Sequence, residues 1–202
     1  PLPLAQAFPM FEWGMNWCIS SRVHNHLVIH AAVVERNGRA AILPAPPGSG
    51  KSTLCAALVN NGWRLLSDEL ALIRLADGML VPVPRPVSLK NASIDIVRAY
   101  VPGATISRAV RDTSKGTVAH LRAPAASVQR AGEPALPAWI VFPRYVAGAA
   151  PALAPVRRAD AFMQLAENAF NYSVLGAQGF EALAAAIDRC DSYTFSYSQL
   201  DD

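Results

Sequence analysis

The sequence predicts an α/β domain, in which a mixed sheet carries a glycine-rich loop and is flanked by helices. Three observations predict it. An apolar, β-branched run from His26 to Val34 is followed by Asn37-Gly38 and then by a second run, Arg39 to Leu43, the pattern of a two-stranded hairpin. The stretch Gly48-Ser49-Gly50-Lys51-Ser52-Thr53 then opens directly into a segment with helical apolar spacing. Beyond it, Arg64 to Leu75 reads as a buried strand interrupted by Ser67-Asp68-Glu69. Strand, loop, helix, strand is α/β order, while the leading hairpin and later short strands make the sheet mixed.

The other elements follow along the chain. Residues 1–25, with their prolines and the aromatics Phe8, Phe11, Trp13 and Trp17, are expected to pack onto a domain formed by residues 26–202. Ser52 to Asn60 is predicted helical, with Leu54, Leu58 and Val59 on one face and Asn61-Gly62 as its stop. Asp77-Gly78 turns the chain into Met79 to Val83, and Pro82, Pro84, Pro86 and Pro102 restrict the middle to short edge strands and loops. Ala92 to Tyr100 is predicted helical. Residues 103–135 show little periodicity and are expected as surface loops. Trp139 to Tyr145 reads as a strand, Ala159 to Phe170 and Phe180 to Cys190 as helices, and Tyr193 to Tyr197 as a last strand. Residues 197–202 read as the start of a further helix, so the chain is expected to be a trimmed piece at both ends.

Composition narrows the partners. A chain of 202 residues that is 52% hydrophobic can bury a substantial core and is too apolar for disorder. No run of about 18 uncharged apolar residues exists, so no membrane span is expected. The net charge of +3 is spread out, its longest cluster being Arg157-Arg158, which gives no electrostatic footprint for nucleic acid. Cys18, Cys55 and Cys190 are isolated, so neither a zinc site nor a disulfide framework is expected, and a reducing cytoplasm is the natural compartment.

The glycine-rich loop carries most of the chemistry. Phosphate oxygens need several backbone N–H groups converging on one concavity, which small residues permit, and a helix N-terminus adds a favourable dipole. Gly48, Ser49 and Gly50 let the backbone curl. Lys51 is placed to reach β- and γ-phosphates, Ser52 to give a hydroxyl to Mg²⁺, and Thr53 to donate near the α-phosphate. ATP with Mg²⁺ is the expected ligand. The full G-x-x-x-x-G-K-[ST] pattern is not met, because Ala45 holds the first glycine's place and Pro46 and Pro47 lack N–H donors. The cradle is therefore expected from the amides of Gly48 through Thr53.

Asp68 and Glu69 follow at the end of a buried strand, where a carboxylate beside a phosphate loop can hold Mg²⁺. Adjacent acids on an extended chain point to opposite faces, so one can bind metal while the other orients or deprotonates an acceptor. His30 lies inside an apolar strand, where a lone histidine is either a satisfied core residue or a functional one. His24, His26 and His120 carry no motif, and a metal site from His24, His26 and His30 is not expected. Lys90, Lys115 and Arg144 are candidate phosphate or substrate contacts, or solvated surface charges.

Taken in order, Ile29-His30-Ala31, the hairpin, Pro47-Gly48-Ser49-Gly50-Lys51-Ser52-Thr53 and Gly62-Trp63-Arg64-Leu65-Leu66-Ser67-Asp68-Glu69 resemble the catalytic domain of HPr kinase/phosphorylase. They are closer still to the HPr-kinase-related kinases of the A type, whose nucleotide-binding core is similar to that of phosphoenolpyruvate carboxykinase. The resemblance is clear over residues 26–75 and looser through Arg85-Pro86-Val87-Ser88-Leu89-Lys90 and Trp139-Ile140-Val141-Phe142-Pro143. It implies that Lys51 and Ser52 hold phosphates and metal, that Asp68 and Glu69 supply the catalytic base and a metal contact, and that His30 supports the first acid. It also implies an oligomer, and the acceptor is expected to be a serine of a protein or peptide, or a small alcohol. Ala45 and Glu69 depart from the family pattern, and the Glu-x-Arg-Gly signature tied to the phosphorylase reaction has only Lys115-Gly116 as a nearest counterpart. Two activities are thus expected to compete: an ATP- and Mg²⁺-dependent kinase, and a catalytically reduced nucleotide-binding sensor. A motor-type ATPase finds no support in a basic stripe or stacking platform.

Overall fold

The computed structural model describes residues 3–46 and 48–201. Pro47, read above as part of the glycine-rich motif, lies outside the described residues, as do Pro1, Leu2 and Asp202.

β1 (His26–Arg36) organises the architecture. Leu27, Ile29, Ala31 and Val33 belong to one core and Ala32 and Val34 to the other, so alternation along the strand fills both faces. Asn37 and Gly38, with φ of 55° and 80°, turn it back into β2 (Arg39–Pro44), the positive-φ pair that a two-residue hairpin requires. On its other edge β1 is shared by two strands in succession. β3 (Arg64–Ser67) pairs with Val33 to Glu35, and β4 (Leu70–Arg74) pairs with His26 to His30.

β4 continues to β5 (Leu80–Val81). A second sheet of three antiparallel strands is made by β6 (Val87–Lys90), β7 (Val110–Thr113) and β8 (Gly116–Leu121), with β8 in the centre. β9 (Leu136–Tyr145) joins β2 in parallel, and β11 (Asp191–Tyr197) joins β9 in parallel, with β10 (Ala152–Pro155) antiparallel at the edge. The large sheet is therefore mixed, with eight strands.

Helices cover both faces. α5 (Arg158–Glu167), α6 (Tyr172–Leu175) and α7 (Ala177–Arg189) lie on one, where Leu165, Leu183 and Ile187 meet Leu27, Ile29 and Ile140. α2 (Lys51–Asn60), α3 (Ala92–Tyr100) and the small sheet lie on the other, where Cys55, Val59, Val97, Leu89 and Leu121 meet Ala32, Val34 and Leu65. Each such aliphatic side chain contributes about 1.5–3 kcal/mol by leaving water. Two buried polar devices fix the ends of β1. Asn171 accepts from the Val28 amide at 2.9 Å and donates to the Val23 and His26 carbonyls, and Glu35 pairs with buried Arg64. Among the described residues, no helix is long and apolar enough to cross a membrane.

Several expectations change. Residues 4–22, anticipated only as a packing segment, form a short 3-10 turn (Leu4–Gln6) and the helix α1 (Ala7–Arg22), whose Ile19 packs with Val23 on Val28, Leu70 and Leu72. Residues 103–135 are not all surface loop, for they contain β7, β8 and α4 (Ala125–Gln129). Val118 to Leu121 is buried as the central strand of the small sheet, a run too short and too rich in small residues to announce itself. β10 and α6 were not anticipated. Residues 198–201 form bends and turns after β11 rather than the start of a helix.

Candidate functional site

The site grows from the break in the ladder beside β1. Between the last residue of β3 and the first of β4 the chain bends, and Leu70 N–H donates to the Ser67 hydroxyl at 3.1 Å to close the bend. Asp68 and Glu69 occupy it. Because they sit on a bend and not on a regular strand, the expected divergence to opposite faces does not occur, and both acids lie within the field of Lys51. His30 is the neighbour across β1, on the strand face that also carries Val28 and Ala32, the side of α1 and α2.

The partners divide between the two acids. Ser52 Oγ donates to Asp68 Oδ2 at 3.2 Å, and the Ser88 amide of β6 donates to the same oxygen at 3.0 Å. Asp68 Oδ1 is buried with no hydrogen-bond partner among the described residues. Glu69 Oε2 lies 3.2 Å from His30 Nε2, and Glu69 Oε1 lies 3.7 Å from Lys90 Nζ. His30 thus stands beside the second acid, where the family resemblance implies the first. Lys51 Nζ is 2.9 Å from the same His30 Nε2. One ring nitrogen cannot accept from an ammonium and donate to a carboxylate at once, so His30 serves either Lys51 or Glu69 according to its tautomer.

These surroundings separate the two carboxyls. Burial, then the charge of Glu69, pushes Asp68 up to about 6, against Lys51 and the hydrogen bonds from Ser88 and Ser52. Burial also acts to raise Glu69, but the His30 hydrogen bond and the charges of Lys51 and Lys90 outweigh it and hold that carboxyl below the usual range. Burial and the neighbouring charge thus favour the protonated form of Asp68, while the His30, Lys51 and Lys90 partners favour the ionised form of Glu69.

The glycine loop lies at the head of α2. Gly48 and Gly50 have φ of 86° and 89°, a region open mainly to glycine, and Gly50 is the N-cap residue. No side chain caps α2 and no acid lies in its first turn, which contains Lys51, Ser52 and Thr53. Among the described residues, that leaves the first-turn amides without a side-chain acceptor and the positive end of the helix without a first-turn acid. The loop is held from behind by residues the sequence did not single out. Tyr145 N–H donates to the Ser49 carbonyl at 3.2 Å, and Tyr197 Oη donates to the Gly50 carbonyl at 3.0 Å. Burial, with some help from the Tyr145 hydroxyl, pushes Tyr197 up to about 12, so it remains a donor at any ordinary pH.

The remaining candidates separate. Lys90 joins the acid pair. Lys115 lies 4.6 Å over the Trp13 ring of α1 and feels the charges of Lys90, Glu69 and Lys51. Arg144 is exposed on β9, one residue before the tyrosine that holds the loop. His26 bonds Asn25 away from the site. No trio of His, Cys, Asp or Glu stands together among the described residues. A hydroxyl and one or two carboxylates are nevertheless what Mg²⁺ uses when phosphates and waters complete its shell, and the orphaned Asp68 Oδ1 beside Ser52 fits that role. Ser88 and Tyr197 escaped the sequence reading. Ser88 falls in the Arg85 to Lys90 stretch that carried a looser resemblance, while nothing local marks Tyr197.

The described residues thus define a mixed α/β domain with a lysine and two acids gathered at a glycine-rich helix start. Residues 9–87 are similar to a family model described as SynChlorMet cassette protein ScmC. That stretch runs from within α1 to the first residue of β6 and includes the loop and both acids, but it is well under half of the chain. No curated protein matches the chain.

Proposed function

We propose that this protein is an ATP- and Mg²⁺-dependent kinase that transfers the γ-phosphoryl group to a hydroxyl, a serine of a protein or peptide. The observation that carries the reading is the convergence of Ser52, Lys51 and the Asp68–Glu69 pair at the uncapped start of α2. The order of motifs, similar to that of the HPr-kinase-related kinases, supports it. First-turn amides and Lys51 bind the phosphates, and the lysine offsets charge that spreads over the transferring group. Ser52 and Asp68 would hold Mg²⁺, which would neutralise charge that develops on the phosphates. A carboxyl of the acid pair takes the acceptor proton as the acceptor oxygen bonds to the γ-phosphorus and the bond to the β-phosphate oxygen breaks, releasing ADP. Asp68, raised towards neutrality, suits that proton. The setting for such chemistry is the cytoplasm.

The second reading, a nucleotide-binding sensor without transfer, is favoured by one observation, that Lys51 is turned to His30. Incubation with γ-labelled ATP and Mg²⁺ in lysate of the source organism separates the two. Label on a discrete protein or peptide that vanishes with Lys51→Ala supports the kinase. Lys51-dependent ATP binding without any labelled acceptor overturns it in favour of the sensor. Asp68→Asn is expected to keep nucleotide binding and lose transfer.

A further inference from the structure

The small sheet has two unlike faces. Val87, Leu89, Ala119 and Leu121 point into the core with α2 and α3. Alternation puts Ser88, Lys90 and His120 on the opposite face, Ser88 directly across from His120 in the ladder. A polar face of this kind is ordinarily left to water. Here it is covered by the first turns of α1. Phe8 meets the His120 ring edge-on at 4.8 Å, Trp13 lies over Lys115, Asn16 accepts from Arg85, and Gln6 donates to the Asp112 carbonyl at 3.0 Å. Phe8, Glu12 and Asn16 are spaced by four residues, one stripe of the helix.

What lies beneath that stripe is poorly satisfied. Ser88 Oγ, His120 Nε2, Arg85 Nε and Arg85 Nη1 are all buried without hydrogen-bond partners among the described residues, and Ser88 and His120 are only 3% and 5% exposed. Glu12 is buried at 5% exposure, and burial pushes its carboxyl above the ordinary range, with Arg85 opposing that rise and Glu69 adding to it. A helix selected only for packing would bury apolar groups here. Instead, Arg85 is the cation that reaches the Glu12 carboxylate of the covering helix, while Lys90 and Lys115 lie in the field of the neighbouring Glu69. The cluster adjoins the acid pair, since the Ser88 amide holds Asp68 and Lys90 lies near Glu69.

We propose that the face of the small sheet beneath α1 is the subsite for an anionic acceptor segment, a carboxylate-bearing seryl peptide, and that Glu12 of α1 occupies it as a stand-in until that peptide displaces the helix. This rests on the phosphotransfer reading for its placement beside the acid pair. Arg85, Lys90 and Lys115 supply charge complementary to such a segment, and the unpartnered Ser88 and His120 groups supply the hydrogen bonds that a fully covered apolar seat would lack. The hinge is built in. The last turn of α1 is anchored by Ile19 on Val28, Leu70 and Leu72, whereas the first turns hold on through the buried Pro9 and through polar and ring contacts, Phe8 on His120 and Asn16 on Arg85, that an acidic peptide can replace.

The test is calorimetric titration of the whole chain with a hexapeptide of one serine among glutamates, and with its counterpart in which every glutamate is glutamine. Glu12→Gln is expected to bind the acidic peptide about tenfold tighter than the unmutated chain, because the competing carboxylate is gone and the open state is more populated. Adding Arg85→Ala or Lys115→Ala to Glu12→Gln is expected to abolish the gain, and the glutamine peptide is expected to gain nothing. Should Glu12→Gln not fold, Trp13→Ala loosens the same helix and gives the same comparison. An acidic peptide bound no tighter by either variant, or a glutamine peptide bound equally well, overturns the subsite. ATP titration of the same preparations keeps the two ideas apart. Loss of Lys51-dependent ATP binding with the peptide preference intact sinks the kinase reading and leaves the anionic subsite standing.

Discussion

Replacing Gly50 with alanine tests whether the loop is held as the structure shows. The residue has φ of 89°, and a Cβ built there would lie 2.2 Å from Tyr197 Oη and 3.2 Å from Tyr145 Cβ. Left-handed backbone costs a non-glycine residue about 1–2 kcal/mol. Tyr197 must also withdraw, which loses its hydrogen bond to the Gly50 carbonyl, worth about 1 kcal/mol. Together they predict about 2–3 kcal/mol of destabilisation, a fall in Tm of about 5–10 °C for a domain of this size. Displacement of the first-turn amides is expected to weaken ATP binding about tenfold or more, each tenfold being about 1.4 kcal/mol. Tyr197→Phe alone costs about 1 kcal/mol or less, because the Gly50 carbonyl still accepts from the Leu54 amide at 2.9 Å. In the double variant the clash is gone and the hydrogen bond is lost once and not twice, so its loss is smaller than the sum of the singles by about 1 kcal/mol. Scanning calorimetry and ATP titration of the four proteins read this out. Strict additivity, or a Gly50→Ala protein with unchanged melting and affinity, would refute the reasoning.

Two further outcomes follow from the buried charges. The Asp68 carboxyl is raised in the folded state from 3.8 to about 6, so the native protein binds that proton more tightly than the unfolded chain. Its ionisation therefore lowers stability as pH rises from about 4 to about 6, by roughly 3 kcal/mol in full. Without Mg²⁺, Asp68→Asn is accordingly expected to be more stable than the unmutated chain at pH 7–8, the gap closing as pH falls towards 4; urea midpoints that do not shift with pH would contradict this. Glu35→Ala strips the buried partner from Arg64, which keeps the carbonyls of Arg130 and Glu133 at 3.1 and 3.0 Å. A loss of about 3 kcal/mol is expected, near the lower end for breaking a buried pair, read as a lower urea midpoint at unchanged slope.

What was legible in the sequence was local. The hairpin, the glycine loop and α2 are set by residues within a few positions of one another, and Asn37-Gly38 or Gly50-Lys51-Ser52 carry their conformation in their own chemistry. The partner of each acid was not legible, because it depends on where β1 changes neighbours and on the arrival of Ser88 from the small sheet. Tyr197 reaches Gly50 from 147 residues away, and its position in β11 looks like any other buried strand tyrosine. β8 was lost in a stretch without periodicity, since its burial comes from α2 and α3 on one side and α1 on the other. The N-terminal helix was missed for a related reason. Its outer side exposes Met10, Phe11 and Trp17 while its inner side carries Glu12 and Asn16, so its apolar pattern points the wrong way.

The bend that brings Asp68 and Glu69 together has an energetic consequence for how Lys51 is understood. Two carboxyls buried side by side repel, and a regular strand would have parted them to opposite faces. Lys51 lowers both, alongside the Ser88 amide for Asp68 and Lys90 for Glu69. On the kinase reading, Lys51 must leave His30 to meet phosphate. His30 Nε2 would then be free to donate to Glu69, and Mg²⁺, if held by Ser52 and Asp68, would replace the withdrawn positive charge. Nucleotide and metal would thus exchange one counter-charge for another without leaving the acid pair bare. A Lys51→Ala protein lacks the first counter-charge even when empty, so it should lose stability as well as ATP. Lys51→Arg, which keeps the charge but not the fit, should recover the stability and only part of the binding. Recovery of neither would mean that Lys51 acts through the shape of its side chain and not through its charge.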